Sequence, residues 1–85
     1  MWDEVTAVRI IEYIRTTFLD GDDDGDLTRT TPLIELGVLN SLNIVRLLVF
    51  IEKDLGVKVP PMEVNGVSFK NPEAIVDVVC RHRAA

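Results

Sequence analysis

Ser41, in the run Gly37-Val38-Leu39-Asn40-Ser41-Leu42, has the surroundings that a phosphate-bearing hydroxyl needs. It opens a long amphipathic stretch. A helix start presents unpaired backbone N–H groups and a partial positive charge, both favourable to an attached phosphate. Gly37 gives the approach freedom to turn. Leu36, Leu39 and Leu42 form a hydrophobic ring expected to seat the junction on the core while the hydroxyl points out. The plain alternative is a serine or asparagine cap, since both residue types satisfy helix-start N–H groups. Ser41 itself does not read as a catalytic nucleophile, because the only histidine, His82, is far away in sequence.

A second constellation is Asp20-Gly21-Asp22-Asp23-Asp24-Gly25-Asp26-Leu27. Asp20, Asp22, Asp24 and Asp26 alternate as calcium ligands do at the start of an EF-hand loop. The twelfth position should be a bidentate Glu, but it is Thr31, and Pro32 then opposes an exiting helix. A solvated acidic loop is the better reading, with calcium binding at these aspartates the weaker alternative. His82 reads as a dipole partner at the C-terminal end of the last helix. Cys80 reads as a small buried residue, and Trp2 as packing at the bundle end.

These residues need elements to position them. Residues 3–18 read as a first helix, with Val5, Val8, Ile11, Ile14 (or Tyr13) and Phe18 recurring at three- and four-residue steps. Arg9, Glu12 and Arg15 fall on its polar side, with Glu12 and Arg15 spaced to pair. Residues 19–40 form a long connection in which Leu33, Ile34 and Leu36 are expected to tuck into the core. Residues 41–55 read as a second helix, with Asn40 as cap and Gly56 as stop. Ile44, Leu47, Leu48, Ile51 and Leu55 make its apolar stripe, and Val45, Val49 and Phe50 widen it. A short turn is expected from about Met62 to Asn65. Asn71-Pro72-Glu73 is a strong start for a last helix, whose apolar face is Ile75, Val76, Val79 and Cys80. The fold class is therefore all-α: a small bundle of three main helices plus one short helix.

The 85 residues read as one domain, 1–85. A net charge of −5 argues against nucleic-acid and anionic-membrane partners and favours basic protein surfaces. The five aspartates of the acidic loop equal that whole net charge. A lone cysteine excludes an internal disulfide and, with no membrane-length apolar run, makes the cytoplasm the expected compartment.

Leu33, Leu36, Gly37, Leu39, Ser41 and Leu42 resemble the prosthetic-group site of acyl and peptidyl carrier proteins. So does the Leu36-Gly37-x-x-x-Ser41-Leu42 spacing. The stretch Leu47-Leu48-x-x-Ile51-Glu52-x-x-Leu55-Gly56-Val57 resembles that family's second helix and its exit, and Pro60 and Asn71-Pro72 resemble the starts that follow. The likeness runs from about Val5 to Val79. One departure is plain: the family usually has Asp before the serine, and this chain has Asn40.

The resemblance implies a carrier that does no chemistry itself. A phosphopantetheinyl transferase would attach 4′-phosphopantetheine covalently to Ser41. An adenylating ligase or acyltransferase would load the arm, and downstream synthases, transferases or tailoring enzymes would act on the tethered group. Position near the serine marks Val38, Leu39, Asn40, Leu42, Asn43, Val45, Arg46 and Met62 for partner docking. Between Asn40 and Leu55 the charges of Arg46, Glu52, Lys53 and Asp54 cancel. That looks closest to stand-alone aminoacyl or peptidyl carriers, monomeric and discrete, of non-ribosomal peptide, polyketide or aminoacyl-transfer type. The alternatives are a fatty-acid carrier, an unmodified adaptor and a calcium-binding module.

Overall fold

The computed structural model describes residues 2–18 and 27–83. Three helices carry it: α1 (Glu4–Phe18), α2 (Ser41–Asp54) and α3 (Pro72–His82), with a single 3-10 turn over Pro61–Glu63 between α2 and α3. The described residues contain no strand. This is the all-α bundle expected of the sequence.

Each helix begins on a side-chain cap. Asp3 Oδ1 accepts from the N–H groups of Val5 and Thr6 at the start of α1. Asn71 Oδ1 accepts from Ala74 N–H at 2.8 Å, with Pro72 and Glu73 filling the first turn of α3. Such caps each contribute about 1 kcal/mol by satisfying N–H groups that lack helical partners. α2 ends where Gly56 takes φ +68°, a left-handed conformation that a Cβ would oppose.

The buried face of α1 differs in part from the expected one: Ile14 is buried as expected, but its buried neighbours are others. Ala7, Ile10 and Ile14 are buried with Thr6, whereas Val5 and Val8 are exposed. Both sets satisfy helical spacing. Ala7, Ile10 and Ile14 join the common core, and Ile11, Tyr13 and Phe18 only flank it. On α2, Leu47 and Ile51 are fully buried, and Ile44, Leu48, Phe50 and Leu55 pack around them. On α3, Val78 joins Ile75, Val76 and Val79 in the interior, and Cys80 is partly buried. Phe69 and Val57 complete the core from irregular segments.

Aromatic stacking sets how α2 lies on α1. The Tyr13 and Phe50 rings stack with centroids 4.2 Å apart, and Phe18 meets Tyr13 edge-on. Tyr13 Oη then donates to the Arg46 carbonyl at 3.3 Å. The last helix is tied down by ion pairs. Arg83 bonds Asp3 at 2.8 Å and also Thr6. Glu63 accepts from Arg81 and lies 2.9 Å from His82 Nε2. His82 therefore has a side-chain partner on the 3-10 turn, beyond the helix-pole role expected of it. The Glu12–Arg15 pair forms at 2.8 Å. Trp2 is partly buried against the core, with the Arg29 guanidinium 4.4 Å over its ring.

Candidate functional site

The connection before α2 is held by backbone hydrogen bonds on both sides. Leu33 N–H donates to the Lys70 carbonyl at 2.8 Å, just before α3. The Leu33 carbonyl accepts from Val38 and Leu39 N–H, closing the 33–39 segment into a compact turn. Gly37 at φ +78° makes that closure possible. Leu33 and Leu39 are the two plugs that bury, at 0% and 1% exposure. Ile34, Leu36 and Leu42 stay exposed, so the expected apolar ring is split. Of the three ring leucines only Leu39 seats the junction on the core, while Leu36 and Leu42 stay in solvent.

The cap falls on Asn40. Its Oδ1 accepts from Asn43 N–H at 2.9 Å, and its carbonyl accepts from Ile44 N–H. Asn43 returns the contact by donating Nδ2 to the Val38 carbonyl at 2.9 Å. Ser41 is consequently free of cap duty. It is exposed, and among the described residues its hydroxyl has no hydrogen-bond partner. The first turn of α2 carries no acid. A phosphate on Ser41 would meet the positive helix pole without a competing carboxylate in that turn. The residues present therefore fit a phosphodiester-linked group.

The residues marked for docking separate into several roles. Leu42, Val45 and Arg46 are exposed along α2, and Val38 is half-buried. Val45, open also to a core reading from sequence, is a surface residue. Leu39 is a correction, because a side chain at 1% exposure is closed to a partner. Asn40 and Asn43 spend their side chains on the local network. Among the described residues Met62 is the most exposed of the large apolar side chains, on a 3-10 turn whose Glu63 is bound to the C-terminal end of α3.

Asp20, Asp22, Asp24 and Asp26 lie outside the described residues. Among the described residues no group of His, Cys, Asp and Glu is arranged to hold a metal, and no helix is long and apolar enough to cross a membrane.

A helical bundle that presents an uncommitted serine at the start of its second helix defines the carrier-protein class. Comparison with known proteins agrees. Residues 8–79 match the phosphopantetheine attachment site family, and the chain belongs to that family. It is 34% identical over 76 residues to the probable acyl carrier protein PigG of Serratia sp. (strain ATCC 39006), covering 89% of this chain and 86% of the relative. It is also similar to a chain in the crystal structure of an FAD-dependent dehydrogenase. That match has a TM-score of 0.77 and 39% identity, and it covers 84% of this chain and 99% of the other. The protein is a carrier of the acyl carrier type, and its covalent cofactor is 4′-phosphopantetheine.

Proposed function

We propose that Ser41 is the attachment residue and that the chain acts as one carrier domain, 1–85, tethering an acyl or aminoacyl group for other enzymes. The observation that carries this reading is the division of labour at the head of α2: Asn40 caps, and Ser41 keeps a free, exposed hydroxyl. In the transfer, the Ser41 Oγ–phosphorus bond forms as the phosphoanhydride of coenzyme A breaks. Adenosine 3′,5′-bisphosphate leaves, and the serine proton passes to a base on the transferase. The attached group supplies a terminal thiol that holds cargo as a thioester. The chain's own contribution is to present that arm from a fixed helix start and to raise the effective concentration of cargo at each docked enzyme.

Exposed Leu42 and Val45, with Arg46 beside them, support recognition by packing more than by long-range steering. That favours an aminoacyl or peptidyl type of carrier, serving non-ribosomal peptide, polyketide or aminoacyl-transfer chemistry in the cytoplasm. A phosphopantetheinyl transferase and an adenylating ligase or acyltransferase are its first partners.

A flavin-dependent dehydrogenase is a further candidate partner. The matched chain in the dehydrogenase crystal is carrier-sized, since 84% of 85 residues spans 99% of it. In such a step the tethered acyl group would lose a proton to a base and a hydride from the neighbouring carbon to the flavin. The product would be a carbon–carbon double bond next to the thioester.

Intact mass after incubation with coenzyme A and a broad-specificity phosphopantetheinyl transferase tests the proposal. The parent should gain one phosphopantetheine and Ser41→Ala none. No gain by the parent with that enzyme or with the host's own transferases would overturn it.

A further inference from the structure

The chain as a whole is acidic, with a net charge of −5, but the solvent face of α2 is not. At 3.6 residues per turn, Leu42, Val45, Arg46, Val49 and Lys53 share an arc of about 100°. Leu42, Val45 and Val49 are 60%, 55% and 48% exposed. Arg46 and Lys53 are exposed as well, and neither side chain has an ion-pair or hydrogen-bond partner among the described residues. Arg15, Arg29, Arg81 and Arg83, by contrast, all pair with carboxylates. Glu52 lies at the edge of the arc by helical angle, and Asp54 lies well outside it. The strip leading away from Ser41 is therefore apolar, with two cations that have no carboxylate partner among the described residues.

We infer that this face docks into enzymes of the carrier's own pathway whose surface is an apolar socket rimmed by aspartate or glutamate. The inference rests on Ser41 being the attachment site, because that makes this strip the neighbour of the arm. Charge complementarity selects the partner. A basic rim would set like charges against Arg46 and Lys53, while a carboxylate rim pairs both. Two copies of this chain meeting isologously here would bring cations against cations. The overall charge pointed to basic partners, and the docking face points to acidic ones.

The test uses the full-length holo-protein, with phosphopantetheine confirmed by mass. The probe is the host enzyme that loads it, followed as cargo mass appears on the carrier. Arg46→Glu combined with Lys53→Glu should raise the KM for the carrier about tenfold or more, with kcat nearly unchanged. Arg46→Gln with Lys53→Gln should give a smaller rise. Moving from about 50 mM to about 500 mM NaCl should weaken the parent and leave the glutamine pair nearly indifferent. Both side chains are exposed, so thermal midpoints should stay close to the parent's and exclude misfolding. An unchanged KM in the double glutamate variant would overturn the inference in favour of packing alone, and a lowered KM would reverse it to a basic partner. A parent that gains no phosphopantetheine or no cargo would instead overturn the carrier reading at Ser41.

Discussion

Asn43 holds Val38: its Nδ2 donates to the Val38 carbonyl across 2.9 Å, while its own N–H is taken by Asn40 Oδ1. The two bonds lock the residues on either side of Ser41 to one another. Asn43→Asp keeps the shape but turns a donor toward a carbonyl into a like-charged acceptor. It should cost about 1–3 kcal/mol and raise the transferase KM several-fold, because the serine loop loosens. Thermal unfolding and transferase kinetics check the two halves. An unaffected KM in a destabilised variant would assign Asn43 to stability alone.

Asn40 is neutral where the carrier family usually has Asp. Asn40→Asp should retain the cap and add a favourable interaction with the helix pole of about 0.3–1 kcal/mol, raising the melting temperature by a few degrees. Asn40→Ala removes the cap and should cost about 1 kcal/mol. Calorimetry on the pair measures both signs. If the acid also aids transferase recognition, as the family pattern implies, modification of Asn40→Asp should be faster than that of the parent.

Glu63 joins the 3-10 turn to α3, and its carboxyl sits below the usual 4.5, held there by the hydrogen bond to His82 and by Arg81. Asp3 is likewise held below 3.8 by Arg83 and the Thr6 backbone. For a carboxylate with a lowered folded pKa, the stabilisation is complete above the unfolded value and is lost as pH falls through the folded one. The melting temperature should therefore drop on acidification below about pH 4.5. Glu63→Gln should show a shallower acid limb than the parent. Equal acid limbs would mean that these pairs are not the titrating contacts that matter.

Phe69 is fully buried in a segment that is not helical. Phe69→Ala should cost about 3–5 kcal/mol, a large part of the roughly 5–15 kcal/mol that holds a domain together. Chemical denaturation would measure it, and a loss below about 1 kcal/mol would show that the site collapses readily around the cavity.

Where local chemistry dictates structure, the sequence was readable. Asn40, Gly56 and Asn71-Pro72 mark the ends of α2 and the start of α3 because caps, positive φ and the ring of proline act within a few residues. Whether Ser41 or Asn40 supplies the cap was open in the sequence, because both residue types cap helices. Side-chain fate beyond the local turn was not readable. Val5 and Val8 compete with Ala7 and Ile10 for the same period, and only the packing of α3 and α2 decides between them. Leu36, Leu39 and Leu42 look alike in sequence, yet the turn closed on Leu33 turns one inward and leaves two in solvent. Phe69 lies in a stretch without periodicity, so no pattern flagged it. The link from His82 to Glu63 spans 19 residues and needed the fold to bring its ends together.

The most direct measurement is tandem mass spectrometry of the protein purified from its host. Trypsin releases the peptide of residues 30–46, whose hydroxyl side chains are Thr30, Thr31 and Ser41. The account predicts one phosphopantetheine on that peptide, with fragment ions placing it on Ser41. Phosphopantetheine on another residue, or its absence from the holo-competent protein, would contradict it.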